Sequence, residues 1–115
     1  MAITFHIFYK GNGRAAQDFA REMTERGLVE QIRRRPGNLS YQYFQAFDDP
    51  ETILLVDSWE NQEALDQHHQ SAIMQEILNL REKYGLVARA EKLLNDENGL
   101  PEADQAFIDH QGDQK

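Results

Sequence analysis

The chain has 115 residues, of which 40% are hydrophobic and 28% charged, with a formal net charge of −8; this is the size and balance of one soluble globular domain built on a single core. It contains no cysteine, which excludes disulfides, thiolate metal sites, iron–sulfur clusters and a cysteine nucleophile and fits a reducing compartment. The acidic balance repels phosphate backbones and argues against a nucleic-acid partner.

Ala2 to Tyr9 (AITFHIFY) is rich in β-branched and aromatic residues and stops at the turn cluster Lys10-Gly11-Asn12-Gly13, so it predicts a first strand. The same N-terminus has a short apolar run and no basic n-region, and no stretch reaches the ~20 apolar residues that span a bilayer. The expectation is therefore no signal peptide, no membrane association and a cytoplasmic location. From Arg14 the period changes. Ala16, Phe19, Ala20, Met23, Leu28 and Ile32 recur at helical spacing, which predicts one long amphipathic helix, bent at Gly27 and ending before Pro36-Gly37. The basic run Arg33-Arg34-Arg35 falls at that helix end, where it complements the dipole.

Leu39 to Phe47 alternates as a second strand, Asp48-Asp49-Pro50-Glu51 reads as a turn, and Thr52 to Trp59 reads as a third strand, together an antiparallel hairpin. Asn61 can cap the next helix, with Ala64, Leu65 and His68 on one face. Ser71 caps or interrupts before a further helical stretch, Ala72 to Tyr84, and Gly85 suits its C-terminus. Leu86 to Leu94 is a last strand. The order β-α-β-β-α-β predicts an α+β, ferredoxin-like split βαβ with an antiparallel sheet over residues 1–95. Residues 96–115 form an acidic tail that holds six acids and one base, −5 of the −8. This tail is either a short helix that starts at Pro101 and docks Leu100 and Phe107, or disordered.

Both strand faces carry apolar residues. Ile3, Phe5 and Ile7 oppose Phe8, which shares its face with His6, and Ile53, Leu55 and Trp59 oppose Leu54 and Val56. The helices can cover one face only. A second copy of the sheet is the simplest cover for the other, so a homodimer with sheets packed face to face is expected.

Asp57 and Trp59 share a strand face, and His68 projects from its helix toward the core. Imidazole titrates near neutrality and is the usual general base; a hydrogen-bonded core histidine is the competing reading. His69, rotated by about 100° from His68, is expected to face solvent. Adjacent helical histidines point apart, so no metal site is expected. Tyr9, Tyr41, Tyr43 and His6 stand on strands, where they could orient a polar ligand or pack across strands as aromatics. There is no phosphate loop, dinucleotide fingerprint or G-x-S-x-G motif.

The run PGNLSYQYFQAFDDPETILLVDSWENQEALDQHHQS resembles the antibiotic biosynthesis monooxygenase family, in particular its small quinol monooxygenase-like members. The residues that carry the resemblance are Gly37, Asn38, Leu39, Tyr41, Pro50, Asp57, Trp59, Ala64, Leu65, His68 and Ser71. The likeness spans about Ile3 to Leu94. It implies a dimeric α+β barrel and, in the monooxygenase members, oxidation of a phenol or hydroquinone by O₂ without metal, flavin or haem. No cofactor is therefore expected. Partners would be a small aromatic substrate, O₂ and a second copy of the chain. The resemblance makes His68 the pocket base, Trp59 a pocket wall and Asp57 part of a proton path, with His6, Tyr41 and Tyr43 as further substrate-binding candidates.

Family members often carry a second histidine after the helix motif, where this chain has Ile73. That departure keeps a non-catalytic small-molecule-binding or regulatory dimer as the alternative. Haem degradation is disfavoured: the first strand lacks asparagine, position 68 is not tryptophan, and Ala72 to Gly85 holds no histidine. Signal-molecule isomerases share the fold, and that reaction stays open.

Overall fold

Ile3, Phe5, Ile7 and Tyr9 recur at every second position and form one face of β1 (Ile3–Lys10). The computed structural model describes residues 1–109 and continues with α1 (Ala15–Glu25), α2 (Leu28–Arg33), β2 (Asn38–Gln45), β3 (Thr52–Trp59), α3 (Gln62–His69), α4 (Ala72–Lys83), β4 (Val87–Leu94) and one helical turn, α5 (Glu102–Gln105). Of the tail, His110, Asp113 and Lys115 lie outside the described residues. The sheet order is β2-β3-β1-β4 with every pairing antiparallel. β3 is thereby inserted between the parallel β1 and β2, which is the ferredoxin-like α+β topology that the element order predicts.

The long helix expected from Arg14 onward breaks rather than bends. Gly27 takes φ 76°, a left-handed conformation that α-helix cannot continue through, and it separates α1 from α2. Ala16, Phe19 and Met23 of α1 and Leu28, Val29 and Ile32 of α2 still face the sheet and join Leu55, Trp59 and Leu65 in the core. α4 packs on α1 and α3 through Ile73, Ile77 and Leu80.

The opposite sheet face carries Thr4, His6 and Phe8 from β1, Leu54, Val56 and Ser58 from β3, and Phe44 from β2. Phe44 and Leu93 remain exposed there, so the two-faced pattern read from the sequence persists in three dimensions. In the tail, Leu100 and Phe107 are 53% and 85% exposed. The helical turn forms but docks neither side chain. Four residues close too few hydrogen bonds to hold a helix alone, and neither side chain reaches an apolar surface. No helix of the described residues is long and apolar enough to cross a membrane.

Gly37 joins α2 to β2 with φ 84°, and a Cβ there would stand 2.5 Å from Ala64 Cβ in α3. Its carbonyl also accepts the Glu60 amide at 2.8 Å, tying the start of β2 to the end of β3. Gly37→Ala combines left-handed strain with overpacking and is expected to cost about 2–4 kcal/mol. A urea midpoint within error of wild type would refute that packing.

Candidate functional site

The site is built where β3 gives way to α3. Asp57 and Trp59 end the strand two residues apart, on the face toward the helices. Asn61 Oδ1 accepts the Ala64 amide at 2.9 Å and sets the first turn of α3. With that phase fixed, Leu65 and His68 point inward and His69 is exposed. Ser71 acts as an interruption: its hydroxyl donates to the His68 carbonyl at 2.6 Å, and its side chain makes no cap bond to α4.

The three side chains meet directly. Trp59 Nε1 donates to Asp57 Oδ1 at 2.7 Å. The His68 imidazole stacks on the indole, with ring centroids 4.8 Å apart and planes at 22°. Asp57, Trp59 and His68 are 5%, 0% and 2% exposed. Burial raises the Asp57 carboxyl from 3.8 to about 6, against the opposing pull of the indole N–H. Burial, followed by the proximity of His69 and Arg35, lowers His68 from 6.5 to about 4. At neutral pH the pair is therefore a carboxylate and an uncharged imidazole. Among the described residues His68 Nδ1 is buried with no hydrogen-bond partner. Such a group costs about 1–3 kcal/mol and calls for a partner that none of the described residues supplies.

Three phenols share this interior. The Tyr41 and Tyr43 hydroxyls are 3.2 Å apart with their rings edge to face, and Tyr43 and Tyr9 both pack on Phe19. Burial pushes Tyr9 up to about 12, and it pushes Tyr41 and Tyr43 well above their ordinary range; the Asp57 charge raises all three further. The phenols therefore stay protonated and serve as hydrogen-bond donors. Arg81 of α4 holds its guanidinium carbon 5.7 Å from the Tyr9 ring centroid.

Tyr41, Tyr43, Asp57, Trp59 and His68 thus come together, and His6 does not. Its position in β1 has the parity of Phe8, so it points to the opposite sheet face, with Nδ1 3.8 Å from Glu91. Ile73, the position at which the resemblance leads one to expect a second histidine, is buried in α4. Tyr9 was legible only as a strand aromatic, although its parity with Ile3, Phe5 and Ile7 places it on the site's face. Arg81 carries no local signal, because its meeting with Tyr9 joins α4 to β1. Among the described residues no three histidine, aspartate or glutamate side chains converge as a metal ion needs. A cleft of about 700 Å³ opens beside Phe8, Lys10, Val87 and Arg89 on the outer sheet face, away from this cluster. Access to the buried cluster requires side-chain movement.

A sequence model of the antibiotic biosynthesis monooxygenase family matches residues 2–80. Curated proteins give no significant match. Similar solved structures include SnoaB, a cofactor-independent oxygenase from Streptomyces nogalater, at 14% identity over 88% of this chain and 98% of that one, with a TM-score of 0.69. A conserved protein from Methanosarcina mazei aligns at 21% identity over 84% and 94%, with a TM-score of 0.72. A conserved protein of unknown function from Bacteroides thetaiotaomicron, described as a possible oxidoreductase, aligns at 17% identity over 80% and 95%, with a TM-score of 0.71. At these identities the likeness establishes a shared fold.

Proposed function

The chain belongs to the antibiotic biosynthesis monooxygenase family, and from that premise we propose that it is a cofactor-independent monooxygenase that oxidises a small aromatic of the quinol type with O₂. The observation that carries this reading is the buried, unpartnered His68 Nδ1, stacked on a tryptophan whose N–H is held by Asp57. A substrate hydroxyl supplies the partner that the imidazole lacks.

The chemistry follows from the protonation states. A general base works best when its pKa lies near the operating pH. Asp57, near 6, fits that better than His68, near 4. Asp57 therefore takes the phenolic proton, and neutral His68 orients the hydroxyl. The phenolate passes an electron to O₂, and the ring carbon and oxygen then join as a peroxide. Asp57 returns its proton to the outer peroxide oxygen, and cleavage of the O–O bond with loss of the ring C–H hydrogen as a proton leaves one oxygen atom on the ring as a carbonyl and sends the other out in water. Trp59 walls the site, and of the hydrogen-bonded Tyr41–Tyr43 pair the hydroxyl that does not donate to its neighbour donates to the anion. His6, on the other sheet face, has no part in this step.

His68→Ala is expected to lower oxygen uptake about 10²-fold, the scale of losing one positioned proton-transfer or orienting group. The assay uses a panel of hydroquinones in chelator-treated buffer. Equal rates for wild type and variant would remove His68 from the mechanism.

The apolar outer sheet face supports a homodimer with its sheets face to face, and a monomeric mass in light scattering at micromolar concentration would defeat that. A cytoplasmic location fits the cysteine-free chain. One observation favours a second reading, a binding dimer without turnover: Ile73 fills the second histidine's place, so the buried cluster holds a single imidazole. Tight binding of an aromatic with no oxygen consumption would select that reading.

A further inference from the structure

Arg81 is half-buried on α4. Its Nε is buried and makes no hydrogen bond, and among the described residues its guanidinium forms no ion pair. The acids between α1 and α4 are engaged elsewhere: Glu22 holds Arg26, Lys83 and the Tyr84 hydroxyl, and Glu76 holds Arg26. Glu82 follows Arg81 directly on α4, so it is rotated by about 100° around the helix and is exposed. What the guanidinium does contact is the ring of Tyr9, a buried member of the aromatic cluster that surrounds Asp57. A buried Nε that lacks an acceptor is costly, and the planar fork of arginine fits a carboxylate with two parallel hydrogen bonds.

We infer that Arg81 is an anion subsite of the Asp57–Trp59–His68 site, and that the substrate is an aromatic hydroxy acid whose carboxylate docks on Arg81 while its hydroxyl reaches Asp57. This rests on the proposed reading of that site. Charge fixes the orientation. A carboxylate placed beside Asp57 meets a like charge in a low-dielectric interior, whereas at Arg81 it meets a cation that forms no ion pair among the described residues. Selectivity then comes from two ends: a proton acceptor for the hydroxyl and a fork for the acid.

The test measures binding without oxygen, so that affinity is separated from turnover. The chain holds one tryptophan, and it lies in the site, so quenching of its fluorescence reports occupancy directly. The probes are a hydroquinone carboxylate, the matching neutral carboxamide and unsubstituted hydroquinone. Wild type is expected to bind the carboxylate about 10-fold or more tighter than the carboxamide. Arg81→Gln brings that ratio close to one, and Arg81→Lys, which keeps the charge without the fork, leaves an intermediate ratio. A wild-type ratio of one, or a ratio that Arg81→Gln leaves unchanged, overturns the subsite while binding of all three probes keeps the site reading intact. Failure of every probe to quench Trp59 overturns both. Thermal melts of the two variants confirm that each ratio is read on folded protein.

Discussion

Asp57→Asn is expected to lower oxygen uptake by about 10²–10³-fold, the range for loss of a general base, while it raises stability at pH 8. The two effects share one cause. The folded protein holds the Asp57 carboxyl at about 6 against 3.8 for an unperturbed group, so the fold binds this proton more tightly than the unfolded chain does. Ionisation of Asp57 therefore opposes folding. The penalty is absent below about 3.8, grows as pH rises, and is complete above about 6. A shift of roughly two units corresponds to about 3 kcal/mol. Asparagine keeps an oxygen for the Trp59 N–H and introduces an amide nitrogen that needs its own partner, so a net gain of about 1–2 kcal/mol at pH 8 is the expected result. The gain should shrink toward pH 4, where wild-type Asp57 is neutral. Urea midpoints at pH 4 and pH 8 check this, and a variant less stable than wild type at pH 8 would show that the carboxylate is not held against its preference.

His68 titrates in the opposite sense. Its folded pKa lies near 4, below the ordinary 6.5, so the fold favours the neutral imidazole. The stability this lends is full above 6.5 and is lost as pH falls toward 4. Between about 4 and 6 the two residues pull against each other, and wild-type stability alone cannot separate them. The Asp57→Asn profile leaves the His68 contribution to be read by itself. A charge held against its preference recurs at functional sites, and the proposed role of Asp57 as proton acceptor accords with that.

The residues that meet in the site were legible where a local period decides orientation. Strand parity puts Asp57 and Trp59 on one face, and the Asn61 cap with i, i+3 spacing turns Leu65 and His68 inward. The same parity rule assigns His6 to the face of Phe8, so its separation from the cluster was available from the sequence as well. Contacts between elements distant in the chain were not legible. Stacking of His68 on Trp59 depends on the angle at which α3 leaves β3, and the meeting of Arg81 with Tyr9 depends on how α4 lies over β1. Nor does a periodic pattern reveal a break: apolar spacing runs unbroken through Gly27, and only its positive φ divides α1 from α2. The protonation states followed last, since a pKa depends on desolvation by the whole packed interior. That is why sequence alone points to His68 as the base, whereas the proposed mechanism gives that role to Asp57.

Trp59→Phe isolates the hydrogen bond that ties the site together. Trp59→Ala would empty a fully buried volume and cost about 3–5 kcal/mol, which would blur any effect on chemistry. Phenylalanine keeps an aromatic ring beneath His68 and removes the N–H that stabilises the Asp57 anion. Burial then acts on the carboxyl unopposed, and its pKa rises above 6. If the anion is the form that accepts the substrate proton, as proposed, the rising limb of the kcat/KM profile against pH moves to higher pH, by about one to two units for the loss of a charge-assisted hydrogen bond of about 1.5–3 kcal/mol. At pH 6 the variant is slower than wild type, and by pH 9 much of the difference closes. A structural role for Trp59 predicts a uniform loss at every pH, and a role for His68 as the proton acceptor predicts a limb that does not move with the Asp57 hydrogen bond. Only a limb displaced toward alkaline pH places the base at the carboxylate.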